Sequence, residues 1–319
     1  MKTKSFSIIA ILIASISFVA CSDNDNESNP YNDQVKRHFY PTTHTFRSVT
    51  NNGVTSTESW EFTYDSQNRI STYKCTQTAK GMGDDITSSK EGKLRVYTDH
   101  NGHKQIINDI STTYSNNTVN GTVSYTETTT ERATFNGNLI SQIVTDGVRY
   151  ENGSNTPKPV SSTQTFTYSD EFCTSSTYSD YDKDVKYSYT WKSNKLSKAT
   201  IHSESKDKSE IKHETHEYSY NKANLACDYG FNTLAFIYGH MPVVYSAMNG
   251  FGKNTPYILE HEIIKGYNES GTDHNVRPVI ERDFQILDNG ISNNVKYIVD
   301  SPTYSEYQYN FTAGSTEGN

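Results

Sequence analysis

The stretch Trp60–Ser71, which is WEFTYDSQNRIS, decides the fold of this chain. Its first half alternates large apolar residues with polar ones, a period of two that is typical of a strand with one buried and one solvated face. Its second half is polar, and Asn tolerates the backbone conformations that tight turns need. Ile70 and Ser71 then begin a new alternating segment. The stretch therefore predicts a β-hairpin.

The same arrangement recurs along the chain as Phe135–Ser141 (FNGNLIS), as Trp191–Ser197 (WKSNKLS) and, more weakly, as Tyr220–Leu225 (YNKANL). Each copy ends one strand, makes a short turn and starts the next strand. Consecutive hairpins of this kind predict an all-β protein built as a large antiparallel up-and-down meander. We expect about 14 to 16 strands in a curved or barrel-like sheet.

The composition predicts a core that is rich in aromatic residues. Hydrophobic residues make up only 33% of the chain, but it contains 24 Tyr and 13 Phe. These large side chains must supply much of the buried area. The length suits one β domain, predicted over residues 41–319.

One segment breaks the alternation. Residues 232–254, NTLAFIYGHMPVVYSAMNGFGKN, are the most apolar part of the chain after the leader, and they contain three Gly and one Pro. Strand periodicity is lost there. We predict a short helical or irregular apolar insertion within the sheet.

The first residues have the layout of a bacterial lipoprotein signal. Lys2 and Lys4 precede an apolar run over residues 6–20, and Cys21 follows small residues. The run is too short for a membrane-spanning helix, so residues 1–20 are predicted to be a cleaved signal peptide. Cys21 is the predicted lipid-attachment residue. Residues 21–40 begin with polar and acidic residues and are predicted to be a flexible acidic tether.

An acidic run directly after a lipidated cysteine resembles the export signal of some surface lipoproteins. We therefore predict an outer-membrane protein that is lipid-anchored and exposed at the cell surface, with the inner leaflet as the alternative. The membrane is a partner through the lipid on Cys21.

The net charge excludes one class of partner. The chain has 29 Lys and Arg against 37 Asp and Glu, a net charge of −8. Loss of Lys2 and Lys4 with the leader leaves 27 against 37, a net charge of −10. An acidic chain is repelled by phosphate backbones, so no nucleic-acid partner is expected.

Three cysteines remain after Cys21, namely Cys75, Cys173 and Cys227. Their odd number and wide spacing do not form a disulfide framework. Buried free thiols are the favoured interpretation, and one bridge with one free thiol is the alternative.

Two groups of residues suggest metal or hydrolase chemistry. His213 and His216 flank a Glu, but they are three apart in a strand pattern, where they point to opposite faces. Ser270 with His261 and the Asp273–His274 pair could suggest a triad, but no nucleophile elbow is present. We predict no catalytic, cofactor-binding or metal-ligating residue.

Paired carboxylates are the basis of an alternative interpretation, in which the protein is a hydrolase. Glu281 and Asp283, two apart on a predicted strand, would lie about 7 Å apart on one face, a spacing compatible with a glycosidase. Many surface pairs share this spacing. Asp84-Asp85 form another pair, and the group of Asp180, Asp182 and Asp184 lacks the Gly and the terminal Glu of a calcium loop.

The long aromatic hairpins, the Gly-rich apolar break ending in Lys253-Asn254-Thr255-Pro256, and the closing strands resemble a family of uncharacterised bacterial lipoproteins described as a domain of unknown function with a porin-like fold. The resemblance covers about residues 40–312. It implies a large, curved or barrel-like antiparallel sheet and no particular activity. Because the predicted apolar faces are short and lack flanking aromatic girdles, we expect a tethered sheet outside the membrane rather than a membrane barrel.

These observations favour a non-enzymatic binding or structural module of the cell envelope, with a glycan or a peptide or protein as its ligand. The first alternative is a carbohydrate-active hydrolase that uses a carboxylate pair. The second is an adhesion or assembly subunit that acts through edge strands.

Overall fold

In the computed structural model the backbone is described for residues 39–50, 54–65, 70–81, 83–98, 104–225, 257–276, 279–287, 290–298 and 304–315. Within these ranges every regular element is a β-strand. No helix in this part of the chain is long and apolar enough to span a membrane.

The described part of the chain forms seventeen strands, somewhat more than the 14 to 16 expected. Their bounds are β1 Phe39–Thr50, β2 Thr55–Tyr64, β3 Ile70–Gly81, β4 Asp84–Thr98, β5 Lys104–Thr118, β6 Gly121–Asn136, β7 Leu139–Glu151, β8 Lys158–Ser169, β9 Phe172–Asp180, β10 Lys183–Lys192, β11 Lys195–Ser205, β12 Glu210–Leu225, β13 Tyr257–Ser270, β14 Asp273–Val276, β15 Val279–Leu287, β16 Gly290–Ile298 and β17 Tyr304–Ser315.

All pairings are antiparallel, and consecutive strands are neighbours throughout most of the sheet. β13 pairs with β12 and also with both β14 and β15. β1 pairs with β2 and with β17, so the first and last strands are neighbours as well. The strands make their extensive contacts with hydrogen-bonded neighbours, as expected for a single curved layer. The predicted all-β, barrel-like meander is confirmed.

The sequence repeat corresponds to a structural repeat. Five strands carry a register shift just before an aromatic residue, and the positions are Thr63/Tyr64, Thr134/Phe135, Thr167/Tyr168, Thr190/Trp191 and Ser219/Tyr220. Such bulges increase the local twist of the sheet and help it to curve. One of the five, at Thr167/Tyr168, belongs to a copy that sequence comparison missed, because Cys173 stands where the other copies have Leu or Ile.

The turns between these strands use the backbone conformations that their residues favour. Ser193 and Asn194 both have positive φ, at 49° and 59°, and Gly137 has a φ of 61°. Two-residue hairpin turns need such angles so that their twist matches that of the flanking strands. The predicted Asn- and Gly-dependent turns are therefore confirmed at these positions.

At three of the five bulges an aromatic side chain donates a hydrogen bond to the neighbouring strand. Tyr168 donates from its hydroxyl to the carbonyl of Ile140 at 2.8 Å, and Tyr220 donates to that of Leu196 at 2.7 Å. The Trp191 indole N–H donates a hydrogen bond of 2.7 Å to the carbonyl of Cys173. A polar tip on an apolar ring thus satisfies a backbone acceptor at the point where the ladder is interrupted.

One face of the sheet, called here the inner face, carries the buried side chains. Its core lies near the turns that follow β2, β4, β6, β8 and β10, and this end is called the apolar end. The buried core includes Trp60, Phe62, Ile70, Leu94, Ile106, Phe135, Ile140, Phe166, Tyr187, Tyr189 and Leu196. The aromatic-rich core predicted from composition is present. The turns after β3, β5, β7, β9 and β11 form the opposite end, called the polar end.

Small residues on the inner face make room for the rings. Gly92 lies opposite Tyr73 in the β3–β4 register, and a Cβ at position 92 would overlap the Tyr73 ring. Gly147 lies opposite Thr129 in the same way, and a Cβ there would overlap the backbone of β6. Close approach, rather than an unusual backbone angle, is the reason for glycine at these strand positions.

Cys75 and Cys173 are free and buried, which agrees with the favoured interpretation for these two residues. Burial raises the pKa of the Cys75 thiol, so that it stays protonated. Cys227 and the predicted insertion at residues 232–254 lie outside the described residues, as do residues 1–20, Cys21 and most of the predicted tether.

Candidate functional site

The inner face changes character along the strands. At the apolar end it is a closed aromatic and aliphatic core, whereas further along it carries buried polar and charged side chains. Those that are almost completely buried are Ser56, Glu58, Asn108, Thr129, Glu131, Gln164, Ser176 and Glu262. The period-two alternation of the strands places these side chains on the inner face. Their hydrogen-bond and ion-pair partners determine the role of each.

Asn108 organises the first polar group. It is fully buried, and its amide nitrogen donates both to the Tyr73 hydroxyl at 3.1 Å and to Glu131 at 2.9 Å. The three residues lie on β3, β5 and β6. The group therefore spans the four neighbouring strands from β3 to β6. Buried polar networks of this kind favour one register over its alternatives.

Glu58 and Lys90 extend the group. Glu58 accepts hydrogen bonds from the Trp60 indole N–H and from Gln77, the latter at 2.6 Å. Burial raises the pKa of Glu58, although both hydrogen bonds oppose this. Burial alone would lower the pKa of Lys90, but neighbouring acidic groups, Glu131 among them, outweigh it and raise that pKa. Lys90 therefore remains a cation among carboxylates.

A second polar group lies on β12 and β13. His216 Nδ1 is 2.8 Å from Glu262, and its Nε2 is 3.6 Å from Glu214, which also pairs with Lys212 at 3.0 Å. Burial by itself lowers the pKa of His216, but the two carboxylates raise it above its ordinary value overall. The arrangement can hold a proton on a buried imidazole.

Both groups are too deeply buried to meet a ligand. Glu58, Asn108 and Glu262 are 3%, 0% and 1% exposed. Of the two groups, only Tyr73 is among the residues that line the two cavities described below, and it is itself buried. Their role is to fix the sheet, and an accessible site must be sought towards the polar end.

Two tyrosines and an arginine form a row near the polar end, on β5, β6 and β7. Tyr114 and Tyr125 face each other in register, with stacked rings whose centroids are 4.8 Å apart. The guanidinium of Arg149 lies 4.4 Å from the centroid of the Tyr125 ring. We call Tyr114, Tyr125 and Arg149 the tyrosine–arginine row.

Glu127 holds the row in place. Its carboxylate is 2.7 Å from the nearest Arg149 nitrogen, and the two residues are paired in register. Both side chains are about three-quarters or more buried, so this ion pair is less screened than one on an open surface. The guanidinium is therefore fixed against the Tyr125 face by both charge and stacking. Burial raises the pKa of Tyr125, which keeps its hydroxyl as a donor.

A cavity of about 420 Å³ lies on the same strands but on the opposite face of the sheet. Its lining residues are Tyr114, Tyr125, Thr113, Ser124, Thr126, Tyr150, Gly153, Ser154 and Asn155. Thr113, Ser124, Thr126 and Tyr150 alternate with the residues of the row, so their side chains point away from the inner face. The turn after β7 is anchored there by a backbone bond of 2.7 Å from Asn152 to Ser124. The cavity therefore does not belong to the tyrosine–arginine row, and the row itself is the candidate binding surface.

A second cavity, of about 520 Å³, lies over Gly92, and five of its twelve lining residues are charged, namely Glu61, Lys74, Glu91, Lys93 and Asp109. Lys74 and Glu91 already pair with each other at 3.0 Å, and both are exposed. Solvated, self-paired charges offer little to a ligand.

The histidines that suggested a metal motif point to opposite faces, as strand geometry predicts. His216 belongs to the buried group, whereas His213 packs against Tyr267 with ring centroids 4.4 Å apart. They do not form a common site.

The residues of the suggested triad are also separated. His261 and Ser270 lie on the same strand, nine residues apart, which corresponds to about 30 Å. His274 is 3.5 Å from Glu269 instead.

The acidic residues around position 182 form a turn. Asp180 accepts hydrogen bonds from the backbone N–H groups of Asp182 and Lys183, both at 2.8 Å, and from the Tyr178 hydroxyl at 2.9 Å. Asp184 pairs with Lys206. In the first predicted pair, Asp84 accepts from Asn116 and Asp85 lies 3.4 Å from Lys80.

Glu281 and Asp283 share a face of β15 by backbone register, opposite Ile263 and His261. Their side chains lie outside the described residues.

Sequence analysis missed the tyrosine–arginine row. Tyr114, Tyr125 and Arg149 belong to three strands with many polar residues and weak alternation. Only the register, which brings residues 11 and 24 positions apart into contact, assembles them. The one local signal was a Tyr in the middle of Thr- and Ser-rich segments.

Comparison with known proteins adds two structural similarities. No family model matches the chain, and no curated protein does. A porin-like protein from Bacteroides uniformis is 13% identical, with a TM-score of 0.49 over 86% of this chain and 96% of that one. A porin-like protein from Bacteroides vulgatus is also 13% identical, with a TM-score of 0.43 over 85% and 99% of the two chains.

Proposed function

We propose that this protein is a lipid-anchored outer-membrane lipoprotein, exposed at the cell surface, that binds a glycan without cleaving it. The observation that supports this most directly is the tyrosine–arginine row on the inner face, near the polar end. The predicted anchor is Cys21, and the predicted tether places the sheet outside the lipid.

The chemistry of the row suits a polyhydroxylated ligand. Sugar rings present C–H faces that pack on aromatic rings and hydroxyls that need fixed donors and acceptors. The row supplies aromatic surface, phenol hydroxyls and a guanidinium on one face of the sheet. In the register Tyr114 lies opposite Ser88 on β4, a small side chain beside the ring.

The row is ordered before any ligand arrives. Glu127 fixes Arg149, and stacking fixes both tyrosines, so little side-chain freedom is lost on binding. Preorganisation of this kind increases affinity because fewer rotamers are immobilised.

Charged pairs on the face opposite the core support a position outside the membrane. Arg95 lies 2.8 Å from Asp109, and Arg132 lies 3.2 Å from Asp146, each pair across neighbouring strands. An Arg or Lys facing lipid costs about 2–4 kcal/mol near the bilayer midplane. A sheet with such pairs is better suited to water, with the lipid on Cys21 as its attachment.

The ligand proposal is tested by thermal shift of the delipidated protein, residues 23–319, against oligosaccharides and polysaccharides. A ligand at 100 times its Kd adds about 2.7 kcal/mol of stability. Tyr114→Ala and Arg149→Met should abolish the shift. Arg132→Met, which removes an arginine from the opposite face, should retain it. An equal shift in all variants would place the ligand elsewhere, and cleavage of the bound glycan would support the hydrolase alternative.

The anchor is tested separately in cells. Cys21→Ser should prevent lipidation and move the protein out of the membrane fraction. Protease added to intact cells should cut the wild-type protein. Survival of the protein under this treatment would place it on the inner leaflet.

A further inference from the structure

Two histidines face each other across β11 and β12, away from the buried core. His202 and His213 are register partners, and their Nδ1 atoms are 3.3 Å apart. At this distance either ring can donate its Nδ1–H to the other. The same geometry brings two imidazole nitrogens together on the surface.

The 3.3 Å separation matches that of two ligands of one tetrahedral metal ion. Zinc–nitrogen bonds of about 2.0–2.1 Å at the tetrahedral angle put the two nitrogens about 3.3–3.4 Å apart. A zinc ion could therefore bind both Nδ1 atoms after a small movement of the rings. The ring that donates its Nδ1–H would lose that proton to solvent and take one up on its solvent-facing Nε2, so that both rings bind the ion as neutral imidazoles with no net proton release.

Neighbouring rings hold His213 in this orientation. Tyr267, its register partner on β13, stacks on it at 4.4 Å with an angle of 22° between the planes. His274 then stacks on Tyr267 at 4.3 Å. His213 is thus fixed from one side by a ring ladder, and its other side meets His202 at a centroid distance of 4.7 Å.

The site is open to solvent. His202 is exposed and His213 is half-buried, so an ion can reach the pair and water can complete its coordination. The described residues contain no group of three or more His, Cys, Asp and Glu arranged for a metal ion. The pair therefore corresponds to a two-ligand site whose remaining positions can exchange.

We infer that His202 and His213 form a surface binding site for a divalent transition-metal ion. Imidazole nitrogens favour zinc, copper and nickel over calcium and magnesium. The site is independent of the tyrosine–arginine row, which lies on other strands and on the inner face.

Isothermal titration of the untagged, delipidated protein with Zn²⁺ tests the site, with Ni²⁺ and Cu²⁺ as further probes. One ion per chain should bind, with Cu²⁺ the tightest and Ca²⁺ not detected. His202→Gln and His213→Gln should each weaken binding by at least about 10-fold. His261→Gln, a histidine of β13 outside this ring ladder, is the matched control and should bind like the wild type.

Far-UV circular dichroism of each variant separates loss of the site from loss of the fold. His202 is exposed, so His202→Gln should fold normally and provides the decisive comparison. Absence of Zn²⁺ binding to the wild type would show that the pair is only hydrogen-bonded. Equal binding by wild type and His202→Gln would place the ion on other residues. Either result would overturn the inference.

Discussion

The Ser141 hydroxyl donates a hydrogen bond of 3.1 Å to the Thr134 carbonyl oxygen, across the turn between β6 and β7. The bond recurs at three other hairpins of the apolar end. The corresponding pairs are Ser71 with Thr63, Thr174 with Thr167, and Ser197 with Thr190, at 3.2, 3.2 and 2.9 Å. In each case the acceptor is the residue just before the bulge, where ladder pairing is interrupted. The repeat noticed in the sequence is therefore a hydrogen-bonding unit.

Removing this hydroxyl should lower the stability of the protein by a similar amount at each hairpin. Ser141→Ala and Ser197→Ala are expected to lower the free energy of unfolding by about 0.5–1.5 kcal/mol each, because one net hydrogen bond is lost. Urea denaturation measures the difference. Ser188→Ala, an exposed position within β10, is the control and should change stability by less than about 0.5 kcal/mol. Equal effects at all three positions would contradict a special role for the bulge bond.

The first large residue after each turn should be a sensitive core position. Leu196 is fully buried, and Leu196→Ala is expected to destabilise the protein by about 2–5 kcal/mol through lost burial and the cavity left behind. Val119 is 88% exposed, so Val119→Ala should have almost no effect. Chemical denaturation at one temperature compares them. A small loss for Leu196→Ala would mean that the apolar end is loosely packed.

Gly92 and Tyr73 should be energetically coupled. Gly92→Ala puts a Cβ into the buried Tyr73 ring and is expected to cost about 1–3 kcal/mol. In Tyr73→Leu the ring is absent, so adding Gly92→Ala to that variant should cost much less. A double-mutant cycle of unfolding free energies gives the coupling. Simple additivity would show that the glycine is required for another reason.

His216 should make stability depend on pH. Glu214 and Glu262 raise the His216 pKa in the folded protein despite burial, so the folded state holds this proton more tightly than the unfolded chain. The stabilisation is complete below the unfolded pKa of 6.5 and is lost as pH rises through the folded value. Tm should therefore fall above pH 6.5, and this contribution should disappear in His216→Gln. An identical pH profile in the variant would assign the slope to other groups.

Local patterns were sufficient for the strands and their turns. The alternation at Trp60 and Phe62 and the Asn- and Ser-rich turn at residues 193–194 are encoded within a few residues, because side-chain direction and turn dihedrals are local properties. The opposite orientations of His213 and His216 follow from the same rule.

The pairing register between strands determined which polar side chains form the buried network. Glu58, Asn108 and Glu131 look like ordinary polar strand residues in the sequence, and they became a buried network only when neighbouring strands aligned them. The hairpin that contains Cys173 was not recognised as a copy of the sequence repeat. Cys173 stands where the other copies have Leu or Ile, although it is as deeply buried as Leu196.

The sequence by itself determined the period-two strands, the turn positions, the acidic charge and the aromatic composition of the core, all of which depend on near neighbours or on composition. Only the tertiary structure decided that Tyr114 meets Tyr125, that Arg149 covers that ring, and that His202 meets His213. Each of these contacts requires strands to pair in one register, and a shift of one residue would turn every side chain to the other face.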